Sequence, residues 1–202
     1  MPKSYYRKSS LVTLVVGQGD RLTELAAHAD TLNESPFFRI ALKKEWLEGQ
    51  TRKIELPDDD VDTVEYYVHF LYTQQVPEET RLEDLAKLYV FGQKVLDQKY
   101  KDAVLLRILY QTNDLWKYNI FHDDVAARDA VTTIYEGTSS GSLGRKLMVD
   151  IFYAVAPSDW VDDGHPIEFR DDLLSKFMSS SRVSKLDSLN ISTYLEEGKE
   201  DD

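Results

Sequence analysis

Apolar and polar positions along the chain change period several times, and each change marks an element. Residues 11–16, Leu-Val-Thr-Leu-Val-Val, form a short β-branched run that stops at Gly17-Gln18-Gly19-Asp20, and a second extended stretch follows over about 21–27. Two such runs around a glycine-bearing turn predict a β-hairpin. From His28 the spacing turns helical as far as Leu32. Ser35-Pro36 then opens another helix reaching about Lys44, with Ser35 as N-cap and Pro36 at the first helical position. Lys53-Ile54-Glu55-Leu56 alternates polar and apolar residues, which predicts a strand halted by Pro57. Asp60 is placed to cap a helix whose apolar positions Val61, Val64, Val68 and Leu71 keep three- and four-residue spacing, ending near Tyr72-Thr73.

Helical periodicity then dominates. Leu82, Leu85, Leu88, Tyr89 and Leu96 share one face over 82–96, and Tyr100, Val104, Leu105 and Ile108 do so over 98–112. Further helices are expected at about 123–135, 144–155 and 166–180. Breakers separate them at Gly137 to Gly144, at Pro157 and at Gly164-His165-Pro166. The final seven residues, with five acids and one base, read as a solvated tail. The order is strand, strand, helix, helix, strand and then helices, an α+β chain.

Composition narrows the chemistry. The 202 residues include no cysteine, which excludes disulfides, thiolate zinc sites, iron–sulfur clusters and a cysteine nucleophile. A 42% apolar content is enough to bury a core. The net charge of −12 argues against direct nucleic-acid binding, since no basic cluster is apparent that would neutralise phosphates. The first apolar run is too short for a signal segment, and no 18-residue apolar stretch follows, so a cytoplasmic or nuclear protein without membrane attachment is expected.

The string LVTLVVGQGDRLTELAAHADTLNESPFFRIAL resembles the start of a BTB/POZ domain, where a hairpin leads into His, Leu and then Ser-Pro-Phe-Phe before a helix. IELPDDDVDTVEYYVHFLYTQQVP is similar to that family's strand, acidic turn and helix ending in Leu-Tyr-Thr, and LAKLYVFGQKVLDQKYKDAVLLRI to its closing helix pair, in the style of fungal members. The resemblance spans roughly residues 10–112. It implies a BTB/POZ fold over 9–112, a short three-stranded sheet flanked by a helical cluster, followed by an α-helical extension over 113–202 with the acidic tail. It also implies a protein-interaction module with no catalytic role, no cofactor, no metal and no small-molecule substrate. Dimeric members carry an exchanged strand and helix ahead of the hairpin; only about ten residues stand there in this sequence, so monomer and homo-oligomer both remain open.

Several residues invite a chemical role. His28 stands alone, with no acid or nucleophile at a useful spacing, and reads as a hydrogen-bonded core or capping histidine. Ser35 reads as a cap. Asp58, Asp59, Asp60 and Asp62 lack the glycine and glutamate of an EF-hand loop and read as a solvated turn with a helix cap. Gly137-Thr138-Ser139-Ser140-Gly141 satisfies G-x-S-x-G, with Asp159 or Asp162 and then His165 downstream. A serine hydrolase using Ser139 is therefore a remote alternative, although the parallel sheet such an elbow needs is missing from the pattern.

The segment with most functional promise is Trp46-Leu47-Glu48, a tryptophan in a charged connection beside Lys43, Lys44 and Glu45. Exposed aromatic anchors of this kind make binding hot spots. In BTB domains that dock on cullins the corresponding stretch carries a hydrophobic residue, any residue, then an acid, and these three residues match it eight positions before Leu56. The expectation is an adaptor of a cullin-based ubiquitin ligase, with self-assembly or transcriptional co-regulator scaffolding as the alternative.

Overall fold

The computed structural model describes residues 10–117, 124–155, 161–179 and 193–195. Contacts divide the chain into two compact units. The first runs to Gln75 and includes Val95–Asp97; the second holds Val76–Lys94 and the chain from Gln98 onward.

In the first unit, β1 (Leu11–Val16) is central to a three-stranded mixed sheet. It pairs antiparallel with β2 (Thr23–His28), Leu11 opposite His28 and Val16 opposite Thr23, and parallel with β3 (Lys53–Leu56), Thr13 opposite Lys53 and Val16 opposite Leu56. Val12, Leu14, Val15 and Val16 are all buried, as suits a strand covered on both faces. In β3, Ile54 and Leu56 point inward while Lys53 and Glu55 face solvent, following the alternation of the sequence.

Two helices of this unit begin where the sequence supplies a side-chain cap. After α1 (Ala29–Leu32), the Ser35 hydroxyl accepts the Phe38 N–H at 3.4 Å and opens α2 (Pro36–Ala41). A short α3 (Leu47–Thr51) precedes β3. The Asp60 carboxylate accepts the Thr63 N–H at 3.1 Å and starts α4 (Val61–Thr73). The buried face of α4 is Thr63, Val64, Tyr67, Phe70 and Leu71, turned from the valine stripe expected, because two aromatic rings bury more apolar area than Val61 and Val68. Tyr67 is fully buried, its ring 6.0 Å from that of Phe38, and its hydroxyl donates to the buried Asp97 carboxylate at 2.7 Å. Turning Asp97 inward costs its neighbour. Leu96, expected on the face of a helix, lies outside one at φ +55° and is 70% exposed.

The second unit is helical: α5 (Leu82–Lys94), α6 (Gln98–Lys117), α7 (Asp124–Gly137), α8 (Leu143–Val155) and α9 (Ile167–Ser179). Helices α5 and α6, which the sequence reading groups with the strands, pack here against α7 and α8 respectively. The Tyr89 hydroxyl accepts the Gly144 N–H at 3.0 Å and lies 3.1 Å from the Ser142 hydroxyl, so a side chain of α5 caps the start of α8. Gly144 is required, since the Tyr89 ring fills the space of a Cβ. Buried Arg145 donates to the carbonyls of Tyr135 and Thr138, closing the C-terminus of α7. It also reaches Glu168 of α9 at 2.5 Å and lies over the Tyr135 ring. The buried Asp150 carboxylate accepts from the Tyr194 hydroxyl at 2.8 Å and pairs with Lys176 at 2.7 Å. No helix of the described residues is long and apolar enough to cross a membrane.

Burial, then the hydrogen bond to the Asp172 carboxylate, pushes the Tyr135 phenol far above its ordinary range; burial and Asp150 do the same to Tyr194. Both phenols stay neutral where an unfolded tyrosine, at 10.0, ionises. Their contribution to stability is thus complete below that pH and lost as the pH rises beyond it. Thermal melts between about pH 8 and 11 are expected to show a falling Tm above about pH 10, and a shallower fall in Tyr135→Phe and Tyr194→Phe.

Candidate interaction surface at Trp46

Trp46 owes its position to the backbone around it. Beyond α2 the chain turns through the Lys43 N–H to the Ile40 carbonyl at 3.1 Å, and the Trp46 N–H returns to the Lys43 carbonyl at 3.0 Å. Trp46 is extended, with φ −98° and ψ 153°, and stands as N-cap of α3, its carbonyl accepting the Gln50 N–H at 3.2 Å. The Gln50 side chain reaches back to the Lys44 carbonyl at 3.1 Å, and the Thr51 hydroxyl donates to the Leu47 carbonyl at 2.9 Å. Gly49 is buried directly on the carbonyls of Leu42 and Lys43, where a Cβ would overlap the backbone. The turn is therefore anchored from inside, and its outer residues face water.

Those outer residues are the three singled out in the sequence. Trp46 is 55% exposed and Leu47 71%, while Glu48 in the first turn of α3 is half-buried. Ile40, at the end of α2, adds a third exposed apolar side chain. The stretch expected as a plain connection is a helical turn, because its hydrogen bonds and the seat of Gly49 supply what a five-residue segment with no apolar period lacks. The charged connection noted in the sequence is also net basic over a longer stretch. Residues 39–53 carry five cations and two acids, and a local charge count is the signal that would have found them. Another exposed apolar stripe lies on α9, where Ile167, Leu174 and Met178 follow at seven- and four-residue intervals.

Among the described residues the other candidates stand apart from one another, save Asp162 and His165. His28 is exposed. It occupies the N-cap position of α1 without capping it, and its Nδ1 lies 2.7 Å from the Tyr72 hydroxyl, which also accepts the His28 N–H. Asp60 is spent on its cap, and Asp58 accepts from the Gln18 amide at 3.3 Å beside an open groove of about 340 Å³. Among the described residues no three carboxylate or imidazole groups converge as a metal site requires.

Asp162 and His165 do meet, carboxylate to Nδ1 at 3.3 Å. The Gly164 N–H above all, and also Arg128 and His165, hold the Asp162 carboxyl below its ordinary range. Yet the His165 ring is sealed against Phe152 and Phe169, and its Nε2 has no hydrogen-bond partner, so the exposed Ser139 hydroxyl is not upon it. Asp159, the other acid of that series, lies outside the described residues.

No protein-family model matches the chain, and comparison with curated proteins returns no match.

Gly49→Ala is expected to lower stability by about 2–3 kcal/mol, because the methyl group meets two backbone carbonyls that cannot yield; urea unfolding followed by circular dichroism measures it. A fluorophosphonate probe is expected to leave the protein unlabelled. An adduct on Ser139 by mass spectrometry would show that hydroxyl to be activated without the His165 Nε2.

Proposed function

We propose that the protein is a non-enzymatic interaction module that docks on a helical partner through the Trp46 turn, as an adaptor of BTB/POZ type would dock on a cullin scaffold. The observation that carries this reading is the pairing of two large exposed apolar side chains with a backbone held by its own hydrogen bonds. Trp46 and Leu47 present their surface from a turn fixed by Gly49 and by the hydrogen bonds of Gln50 and Thr51. Because the turn is already formed, binding loses little conformational entropy there.

Mechanism follows from surface complementarity. Trp46 fills an apolar pocket between partner helices, where burying a large side chain is worth about 1.5–3 kcal/mol. Leu47 seals the pocket edge against water, as the residues around a hot spot do. Glu48 accepts a charge-assisted hydrogen bond from the partner and fixes register, since a misplaced carboxylate would be desolvated without compensation. The interaction needs no cofactor and no bond chemistry. The client carried by such an adaptor would engage a surface elsewhere on the chain.

Calorimetric titration of the purified protein with a cullin N-terminal domain tests this. Binding at micromolar strength is expected, weakened in Trp46→Ala and in Glu48→Lys by more than about 1.4 kcal/mol, a tenfold loss. No heat and no co-elution would remove the cullin from the proposal.

A further inference from the structure

The charge around the Trp46 turn has the opposite sign to the chain that carries it. Between Arg39 and Lys53 stand Arg39, Lys43, Lys44, Arg52 and Lys53, all exposed, against the exposed Glu45 and the half-buried Glu48. The segment thus holds three net positive charges in a chain of net −12. None of these five cations makes a side-chain hydrogen bond or ion pair among the described residues; Arg21 and Lys99 make none either but stand singly, whereas Arg81, Lys87, Arg128, Arg145, Arg170 and Lys176 are all paired with carboxylates. A protein with so many acids has ample means to pair surface cations. Here they share residues 39–53 with the exposed Ile40, Trp46 and Leu47 and have no such partner.

We infer that the Trp46 turn is built for an acidic protein partner, one whose apolar pocket or helix face is rimmed by Asp and Glu. The inference rests on the proposed docking role of this turn and names the chemistry of what docks. Three apolar side chains supply the contact, and the free cations supply the complement to an acidic rim, speeding encounter and rejecting basic surfaces. The long stems of Lys43 and Lys44 can lie along the partner's apolar surface with their ammonium groups at its carboxylates. Glu45, beside Trp46, argues for a protein over an anionic bilayer. It would be carried into the headgroup layer with the tryptophan, whereas a protein can place a single donor opposite it. The acidic remainder of this chain repels the same partner, which confines its approach to this face.

Amide chemical-shift titration of the isotope-labelled full chain provides the test, using a pair of synthetic amphipathic peptides of roughly five helical turns with the same leucine positions. One carries Glu on its polar face and the other Lys. The Glu peptide is expected to shift amides across 39–53, with affinity falling at least about fivefold as salt rises from 0.1 M to 1 M. Lys43→Glu/Lys44→Glu, whose well-dispersed spectrum verifies folding, is expected to weaken it at least about tenfold, and the Lys peptide to leave those amides unmoved.

Equal shifts from both peptides, shifts confined to other residues, or none at millimolar peptide would overturn the inference. So would shifts of these amides with phosphatidylserine vesicles but not with the Glu peptide, or on simple dilution of the protein, which would point to a bilayer or to a second copy. The two readings fail separately. Cullin binding lost in Trp46→Ala but kept in the lysine reversal sinks the acidic partner alone, whereas Glu-peptide binding without cullin binding sinks the cullin alone.

Discussion

Strand β1 cannot lie against water on either face, and the first unit is arranged to satisfy that constraint. Val12, Leu14 and Val16 on one face and Val15 on the other are buried, although Leu11 is exposed and Thr13 half-buried, so from Leu14 onward the strand must be flanked on both edges and covered above and below. Pairing with β2 uses the nearby turn. Pairing with β3 is parallel and requires the chain to travel from His28 to Lys53, a passage filled by α1, α2 and α3. The Trp46 turn lies on that passage. Its outward presentation is a by-product of connecting parallel strands, and Gly49 lets the connection close tightly enough for Lys53 to arrive in register.

How much of this was legible depends on whether the signal was local. Ser35 with Pro36 and Asp60 announce their helices because a cap works within four residues, and both hydrogen bonds are present. The alternation of Lys53 to Leu56 likewise carries its own instruction. Helix α3 was illegible, since its stability comes from Gly49 meeting carbonyls that only the folded chain brings near. Leu96 misled for the same reason. Its spacing suits a helix face, but Asp97 has to reach the Tyr67 hydroxyl, and a tertiary hydrogen bond outweighs one residue's preference.

The candidate site divides along the same line. That Trp46 is exposed could be read from its charged neighbours, because lysines and glutamates on both sides leave little apolar surface for the ring to join. That the cations of 39–53 are unpaired could not be read, because pairing is decided by residues distant in sequence. The remote serine-hydrolase alternative divides in the same way: Asp162 and His165 meet as spacing suggests, yet the His165 Nε2 is buried in aromatic packing that only the folded chain supplies.

The carboxylate of Asp150 holds Tyr194 with one oxygen and Lys176 with the other. A single buried acid is thereby the moor for a segment that reaches it from forty-four residues further along the chain. Any shortening that stops ahead of Tyr194 removes the hydroxyl donor from a carboxylate that water scarcely reaches and leaves Lys176 to satisfy it alone. The helical unit consequently draws on a residue fifteen positions beyond the last residue of α9.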